Sequence, residues 1–487
     1  MPGQRSGAIF RSAWPTPQID RLLRAAALPD EAAAADVWRA FEAAADFDHL
    51  TAGEMRLIGL AARRLARLAP DSPMRPRIEG IERANWSRSQ LAIGEASAGM
   101  RALQATGVEM LVMKGAMRTA IGDTGARGRM LNDVDVVVRP DDLARAYEIL
   151  TDDGWRPAGS GSVVYHASRL AEAVGINLVR GRFGNLDLHR TPFHPPYELA
   201  GDDVAIWQRS LPGTVGYASV RAPAPTDAMT ISMAHGALDA HKSSDWLADI
   251  AACIDRGVDW DLLEEIVARR RLQAAAAISL GYVGDRLERE IPAALLQRLE
   301  RASYRHPLGL LAAAAETRPK ARTVGLAWLL RAVAKQGRLW RTHRRSSARR
   351  PVVLSRPVMG RPPAGTAART LQQALELPGR ADGEAWDGSI ELTLALDLPP
   401  AARRIDFEVN SLTRHHVRLR TLALGRGGRA RLFRFRFPLS LAQGEGAPSL
   451  NAVPSRRFNS GAPEEMLARY GATPFEIVRI EARKAAG

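Results

Sequence analysis

Apolar residues recur three and four positions apart, with alanine filling between them, across residues 20–28, 31–47, 51–69 and 85–107. That spacing predicts amphipathic helices. Thr51 stands at an N-cap position ahead of Glu54, and Pro70, Pro73 and Pro76 break the pattern in a loop. Residues 1–105 therefore read as a helical lobe, and the absence of an acidic pair, histidine cluster or glycine-rich loop gives that lobe a scaffold role.

The pattern changes after Thr106. Residues 108–113 form a short apolar run that Lys114-Gly115 breaks, residues 116–122 continue as a short helix, and a glycine-bearing loop leads to a second apolar run closed by Pro140. Residues 141–155 are amphipathic, with Asp141 or Asp142 to cap the start and Gly154 just beyond the end. Residues 161–167, 172–181 and 184–193 read as further strands, so 106–205 is expected to be a small α/β core with a mixed sheet. Helical spacing returns from Thr226 to about Gln336, and 206–340 is expected to be a second helical lobe. A basic and Pro/Gly-rich stretch, 341–387, reads as a linker with one helix candidate at 367–377. Alternating segments at 389–398, 404–412, 415–425, 430–440 and 475–483, with a turn at Gly425 to Gly428, make 388–487 a β-rich, sandwich-like domain. The predicted fold class is thus multidomain α+β: helical N-terminal lobe, mixed-sheet core, helical lobe, C-terminal all-β domain.

Composition adjusts this picture in three places. At 487 residues, 46% of them hydrophobic, the chain has material for two or three cores. A single cysteine, Cys253, excludes an intramolecular disulfide framework and a cysteine-rich zinc site. No apolar h-region marks the start and no stretch of about twenty apolar residues follows, so the expectation is a cytoplasmic protein without a membrane span. The net charge of +15 attracts phosphates in general. Its arginines are scattered along the chain instead of lying in one stripe, so nucleic acid is the less favoured partner.

Candidate chemistry centres on residues 110–138. Asp133 and Asp135 lie one residue apart on an apolar run, and strand alternation puts both carboxylates on one face. Asp187, between Leu186 and Leu188 on a later strand candidate, can supply a third. Such carboxylates suit Mg²⁺, which prefers oxygen ligands and takes substrate phosphate as well. A pair of ions about 3.5–4 Å apart can clamp the attacking and leaving oxygens of a phosphoryl displacement. Alone, a D-x-D is also the metal motif of glycosyltransferases that use nucleotide sugars, and a capped strand end with no ligand.

Taken together, Lys114-Gly115, the run Arg129 to Asp135, the helix ending near Gly154-Trp155, and Asp187-Leu188-His189 resemble the uncharacterised nucleotidyltransferase family of the DNA polymerase β-like superfamily. His235, His241 and the run Asp245 to Ile250 are similar to that family's downstream histidine and W-x-x-D-I pattern. Residues 129–131 depart from it, reading R-M-L for the usual R-P-M, and Asn132 stands where serine is usual. The resemblance implies a minimal nucleotidyltransferase core, Mg²⁺ (two ions), an NTP donor, and Asp133, Asp135 and Asp187 as metal-binding and catalytic residues. It also implies that Lys114, Gly115 and Arg129 handle phosphates, although Arg129 can equally brace the loop. His189, His194, His235 and His241 lack zinc-ligand spacing and are expected in structural roles, and Asp249 with Trp246 reads as a helix-packing pair. The acceptor stays open among a protein hydroxyl, a small molecule, a sugar and RNA. The alternatives are a D-x-D glycosyltransferase, for which the helical N-terminus leaves little room for a Rossmann-like region, and a catalytically inactive binding protein.

Overall fold

The computed structural model describes residues 7–158, 163–167, 170, 173, 175–194, 197–238, 243–319, 322–345, 352–355, 357–358, 372–397, 406–411, 414–421, 430–453 and 475–485. The fold is multidomain α+β, as the periodicities predict. Two compact units divide the chain, residues 1–146 with 180–346 and residues 147–179 with 347–487.

The first unit opens with helices α1 (Ala8–Arg11), α2 (Pro17–Ala27), α3 (Glu31–Glu42), α4 (Ala52–Leu68) and α5 (Arg75–Ala105). Thr51 caps α4 as its sequence predicts. Its hydroxyl accepts from the Glu54 amide at 3.3 Å, and the Glu54 carboxylate accepts from the Thr51 amide at 2.7 Å. Asp30 caps α3 in the same way, accepting from Ala32 and Ala33. Along the chain follow β1 (Met110–Val112), α6 (Lys114–Ala120), β2 (Val134–Val138), α7 (Leu143–Asp152), β3 (Arg156–Pro157), α8 (Val163–Ala167), β4 (Gly175–Arg180), β5 (Gly184–His189), α9 (Ala200–Arg209), β6 (Leu211–Val215) and β7 (Ala218–Ala222), of which β3, α8 and nearly all of β4 fall in the stretch 147–179 that belongs to the second unit.

The strands form one mixed sheet in the order β3-β4-β5-β2-β1-β7-β6. β1 runs antiparallel to β2 and parallel to β7, and β2 runs parallel to β5. β2 is buried at every position, so it reads as a continuous apolar run broken only by Asp135. Helix α5 lies against β5 and β7. It pins two loops from below the sheet: the Ser89 hydroxyl accepts from the Leu131 amide at 2.9 Å, and the Glu95 carboxylate accepts from the Gly184 amide at 2.5 Å. The remaining helices of this unit are α10 (Pro225–Leu238), α11 (Asp245–Asp255), α12 (Trp260–Arg270), α13 (Gln273–Arg286), α14 (Ala293–Tyr304), α15 (Pro307–Thr317) and α16 (Gly325–Arg345). Among the described residues no helix is long and apolar enough to cross a membrane.

The second unit is built on β8 (Val352–Ser355), β9 (Pro357–Val358), β10 (Gln372–Ala374), β11 (Trp386–Asp397), β12 (Asp406–Asn410), β13 (His415–Thr421), β14 (Ala430–Leu441), β15 (Ser449–Val453) and β16 (Phe475–Lys484). They make two sheets, β10-β15-β12-β13-β8 and β16-β11-β14-β9. The inward residues of both, among them Ile390, Leu392, Phe407, Val409, Phe433, Phe435 and Leu450, share one apolar core. That is the sandwich the alternation predicts.

Four local expectations change. Residues 211–222, expected within a helical lobe, form β6 and β7 of the mixed sheet, because β7 finds a parallel partner in β1. Residues 163–167 form helix α8 rather than a strand. The β-branched pair Val163-Val164 favours a strand, but the segment packs across β12 and β15, where a strand edge is not offered. The face of β12 away from the core carries buried Asp406, Glu408 and Asn410, with Arg418 reaching Asp406 at 3.1 Å. Residues 341–387, expected as a linker, contribute β8, β9 and β10 to the two sheets. The described part of the helix candidate at 367–377 is an extended strand paired with β15, because Gln372 to Ala374 finds a ladder partner there. The expected turn at 425–428 and His241 lie outside the described residues.

Candidate functional site

Parallel pairing of β2 with β5 sets Asp135 directly beside Asp187. Period-two alternation then brings Asp133, just ahead of β2, and His189, at the end of β5, to the same face. Asp135, Asp187 and His189 each contribute one ligand atom, all within 4.8 Å of one another. The tightest trio is therefore two carboxylates and an imidazole, and Asp133 stands just outside it. His189 Nε2 is 3.0 Å from Asp187 Oδ2 and 3.4 Å from Asp135 Oδ1. His189 is 3% exposed, and among the described residues neither of its ring nitrogens completes a hydrogen bond of good geometry.

Lys114 reaches this trio from β1. The β1–β2 ladder extends one step further, the Met113 amide donating to the Asp135 carbonyl at 3.1 Å. The next residue is thereby held beside Asp135, and the Lys114 ammonium donates to Asp135 Oδ1 at 2.5 Å. Lys114 adopts a left-handed backbone, φ 51°. A lysine there is strained by about 1–2 kcal/mol, and the ion pair offsets that strain. Gly115 follows in the first turn of α6, where a β-carbon would come within 2.4 Å of Leu131. Glycine lets the turn close onto the loop that carries Asp133 without displacing the Leu131 side chain.

The charges shape one another. Burial raises the Asp133 carboxyl above its ordinary range, and the neighbouring Asp135 carboxylate adds to the rise. Burial works in the same direction on Asp135, but the ammonium of Lys114 and the His189 imidazole outweigh it and hold Asp135 well below the carboxylate range. Burial opposes the charge on Lys114, yet Asp135 lifts its pKa to about 12. The His189 ring resists burial in the same way, with Asp187 and Asp135 raising it to about 9. His235, whose Nε2 lies 2.9 Å from the Pro192 carbonyl, is pushed the other way by burial and by Lys114, and stays neutral. His194 stacks edge-on against His235, with 4.8 Å between ring centres.

Arg129 is placed away from this face. Its guanidinium is 8% exposed and donates to Asp245 at 2.6 Å and to both oxygens of Asp249, at 2.8 to 3.0 Å. Arg56 also binds Asp245 (2.7 Å) and Arg118 also binds Asp249 (3.1 Å). Asp245 and Asp249 stand one helical turn apart on α11 and face the 118–129 loop together. The W-x-x-D-I run is thus an anchor for that loop, a role that the packing-pair reading of Asp249 missed. Two acids at i and i+4, facing an arginine-rich loop, were the available signal. The loop is further fixed where Gly128 crosses Gly59 of α4: a β-carbon on Gly128 would sit 1.8 Å from the Gly59 carbonyl oxygen.

A family model described as an uncharacterised nucleotidyltransferase matches residues 45–288, half of the chain. The chain belongs to the uncharacterised nucleotidyltransferase family. The match encloses Lys114, Gly115, Arg129, Asp133, Asp135, Asp187, His189, Asp245 and Asp249, and it supports nucleotidyl transfer in general. No curated protein and no solved structure matches the chain. As a member of this nucleotidyltransferase family, the protein has a donor set that fits a divalent cation: carboxylate oxygens from two adjacent strands, and a buried imidazole that faces both carboxylates and completes no hydrogen bond of good geometry among the described residues.

Proposed function

We propose that the protein is a divalent-metal-dependent nucleotidyltransferase that moves a nucleoside monophosphate from an NTP to a hydroxyl acceptor, with Mg²⁺ accompanying the nucleotide. The observation that carries this reading is the register Asp135 beside Asp187, with Asp133 and Lys114 at its margin, inside the span of the family match.

When bound, the cation supplies charge neutralisation on the triphosphate and polarises the phosphoryl oxygens. Asp133 and Asp135 would hold it on the nucleotide side. Lys114 lies half-buried next to Asp135, a place from which its ammonium sets a positive charge against the leaving phosphates. Gly115 keeps the turn tight enough for that approach. Asp187, with its side chain 24% exposed, is the most open carboxylate of the trio and takes the proton of the acceptor hydroxyl. The acceptor oxygen bonds to the α-phosphorus, the bond from that phosphorus to its bridging oxygen breaks, and pyrophosphate leaves. Arg129 acts through position, by holding the loop ahead of Asp133 against α11.

Calorimetric titration of NTP in the presence of Mg²⁺ tests the assignment. Wild-type protein is expected to bind an NTP, and the paired substitution Asp133→Ala with Asp135→Ala to weaken binding by about tenfold or more, the ~1.4 kcal/mol of a single charge-assisted contact. Equal affinity in the two proteins contradicts the assignment.

A further inference from the structure

His189 enters no step of the transfer chemistry above, yet it is the most buried member of the trio. Its side chain is 3% exposed against 5% for Asp135 and 24% for Asp187. An imidazole placed for structural reasons alone completes hydrogen bonds when buried, because an unmet polar group in the interior is unfavourable by about 1–3 kcal/mol. Here Nε2 approaches two carboxylate oxygens, at 3.0 and 3.4 Å, without completing a hydrogen bond of good geometry to either, and Nδ1 completes none among the described residues.

We infer that His189 is a metal ligand, and that the position shared by Asp135, Asp187 and His189 selects first-row transition divalent cations over Mg²⁺. The inference rests on the proposed reaction site and deepens it: the nucleotide keeps its own Mg²⁺, and the cation on the acceptor side is of another class. The physical ground is the donor set. Mg²⁺ is a hard cation that demands oxygen ligands and gives up water reluctantly, whereas imidazole nitrogen suits the transition metals. On coordination the ring nitrogen facing the carboxylates gives any proton it carries to solvent and offers its lone pair to the ion.

The test uses the full chain without nucleotide, so that no base nitrogen can contribute. Mn²⁺ serves as the probe, titrated against its free electron paramagnetic resonance signal, and Mg²⁺ is titrated by competition. Wild-type protein is expected to bind Mn²⁺ at least about tenfold more tightly than Mg²⁺, and pulsed measurements to show coupling from one nitrogen nucleus to the bound ion. His189→Gln, which offers an amide oxygen instead, is expected to lose the nitrogen coupling and the preference together. A thermal melt of each variant checks folding, and His189→Asn repeats the comparison with a shorter side chain. Wild-type protein without nitrogen coupling, coupling that survives in His189→Gln, or equal affinity for the two cations overturns the inference. Failure of the wider reading looks different. Nitrogen coupling without release of pyrophosphate from any NTP keeps the ligand assignment and removes nucleotidyl transfer. Pyrophosphate release without coupling does the reverse.

Discussion

Replacing Arg129 by methionine is the perturbation that most directly separates the supporting framework from the reacting groups. Arg129 is buried and donates to two buried carboxylates, Asp245 (8% exposed side chain) and Asp249 (1%). Methionine keeps the volume of the stem and removes the charge, leaving both acids short of a partner. Removing one member of a buried ion pair destabilises by roughly 3–5 kcal/mol, because the other charge remains desolvated. Arg56 still binds Asp245, at 2.7 Å, and Arg118 still binds Asp249, at 3.1 Å. The expected loss is therefore at the low end, about 3 kcal/mol, which lowers the melting temperature of a unit this large by roughly 5 °C. Urea unfolding followed by tryptophan fluorescence measures it. Nucleotide affinity should fall as well, since the loop released by the substitution leads into Asp133. A loss under about 1 kcal/mol with unchanged nucleotide affinity would refute the bracing role, because it is what an exposed ion pair gives.

Further expectations follow from the same contacts. Although burial opposes it, the charge of Arg129, with Arg56 beside it, holds the Asp245 carboxyl well below its ordinary range. A carboxyl depressed on folding adds stability above its unfolded pKa of about 3.9 and loses it as pH falls through the folded value. The advantage of wild type over Arg129→Met should thus be constant from neutral pH to about pH 4 and narrow below it, as unfolding curves at a series of pH values would reveal. Gly128→Ala forces a β-carbon to within 1.8 Å of a backbone oxygen that has no rotamer to yield; a loss of about 3 kcal/mol is expected, and a melting temperature equal to wild type would contradict the crossing. Phe407→Ala removes a fully buried ring from the sandwich core, packed against Phe435 and Phe475. It should destabilise that unit by about 3–5 kcal/mol in urea, with less than 1 kcal/mol arguing against a shared core between the two sheets.

Much of this architecture is legible in the order of apolar residues. β1 and β2 announce themselves as short apolar runs closed by Lys114-Gly115 and Pro140, β5 lies within the strand expected at 184–193, and the capping pair Thr51 and Glu54 marks the start of α4 to the residue. Alternation alone puts Asp133 and Asp135 on one face. What it cannot give is the neighbour across the sheet, since register between β2 and β5 depends on long-range packing. His189 obeys the same rule, being two residues beyond Asp187 on one strand, a spacing that a helical zinc motif does not have. The Arg129 network was hidden for a different reason: its partners lie more than a hundred residues away on α11, and sequence pattern carries no information about which loop a helix face meets. Helix α8 and strand β10 were misread because segments this short take their conformation from what they pack against, and propensity is overridden.

Nucleotidyl transfer on the face shared by Asp133, Asp135 and Asp187 is tested by following the α-phosphate itself. The protein is incubated with cell extract, Mg²⁺, Mn²⁺ and each NTP labelled at the α-phosphate, and labelled acceptors and pyrophosphate are both measured. Wild-type protein should label an acceptor with matching release of pyrophosphate, and Asp133→Asn and Asp187→Asn should each abolish both. Label transfer that persists in those variants, or none from any NTP, would contradict the account.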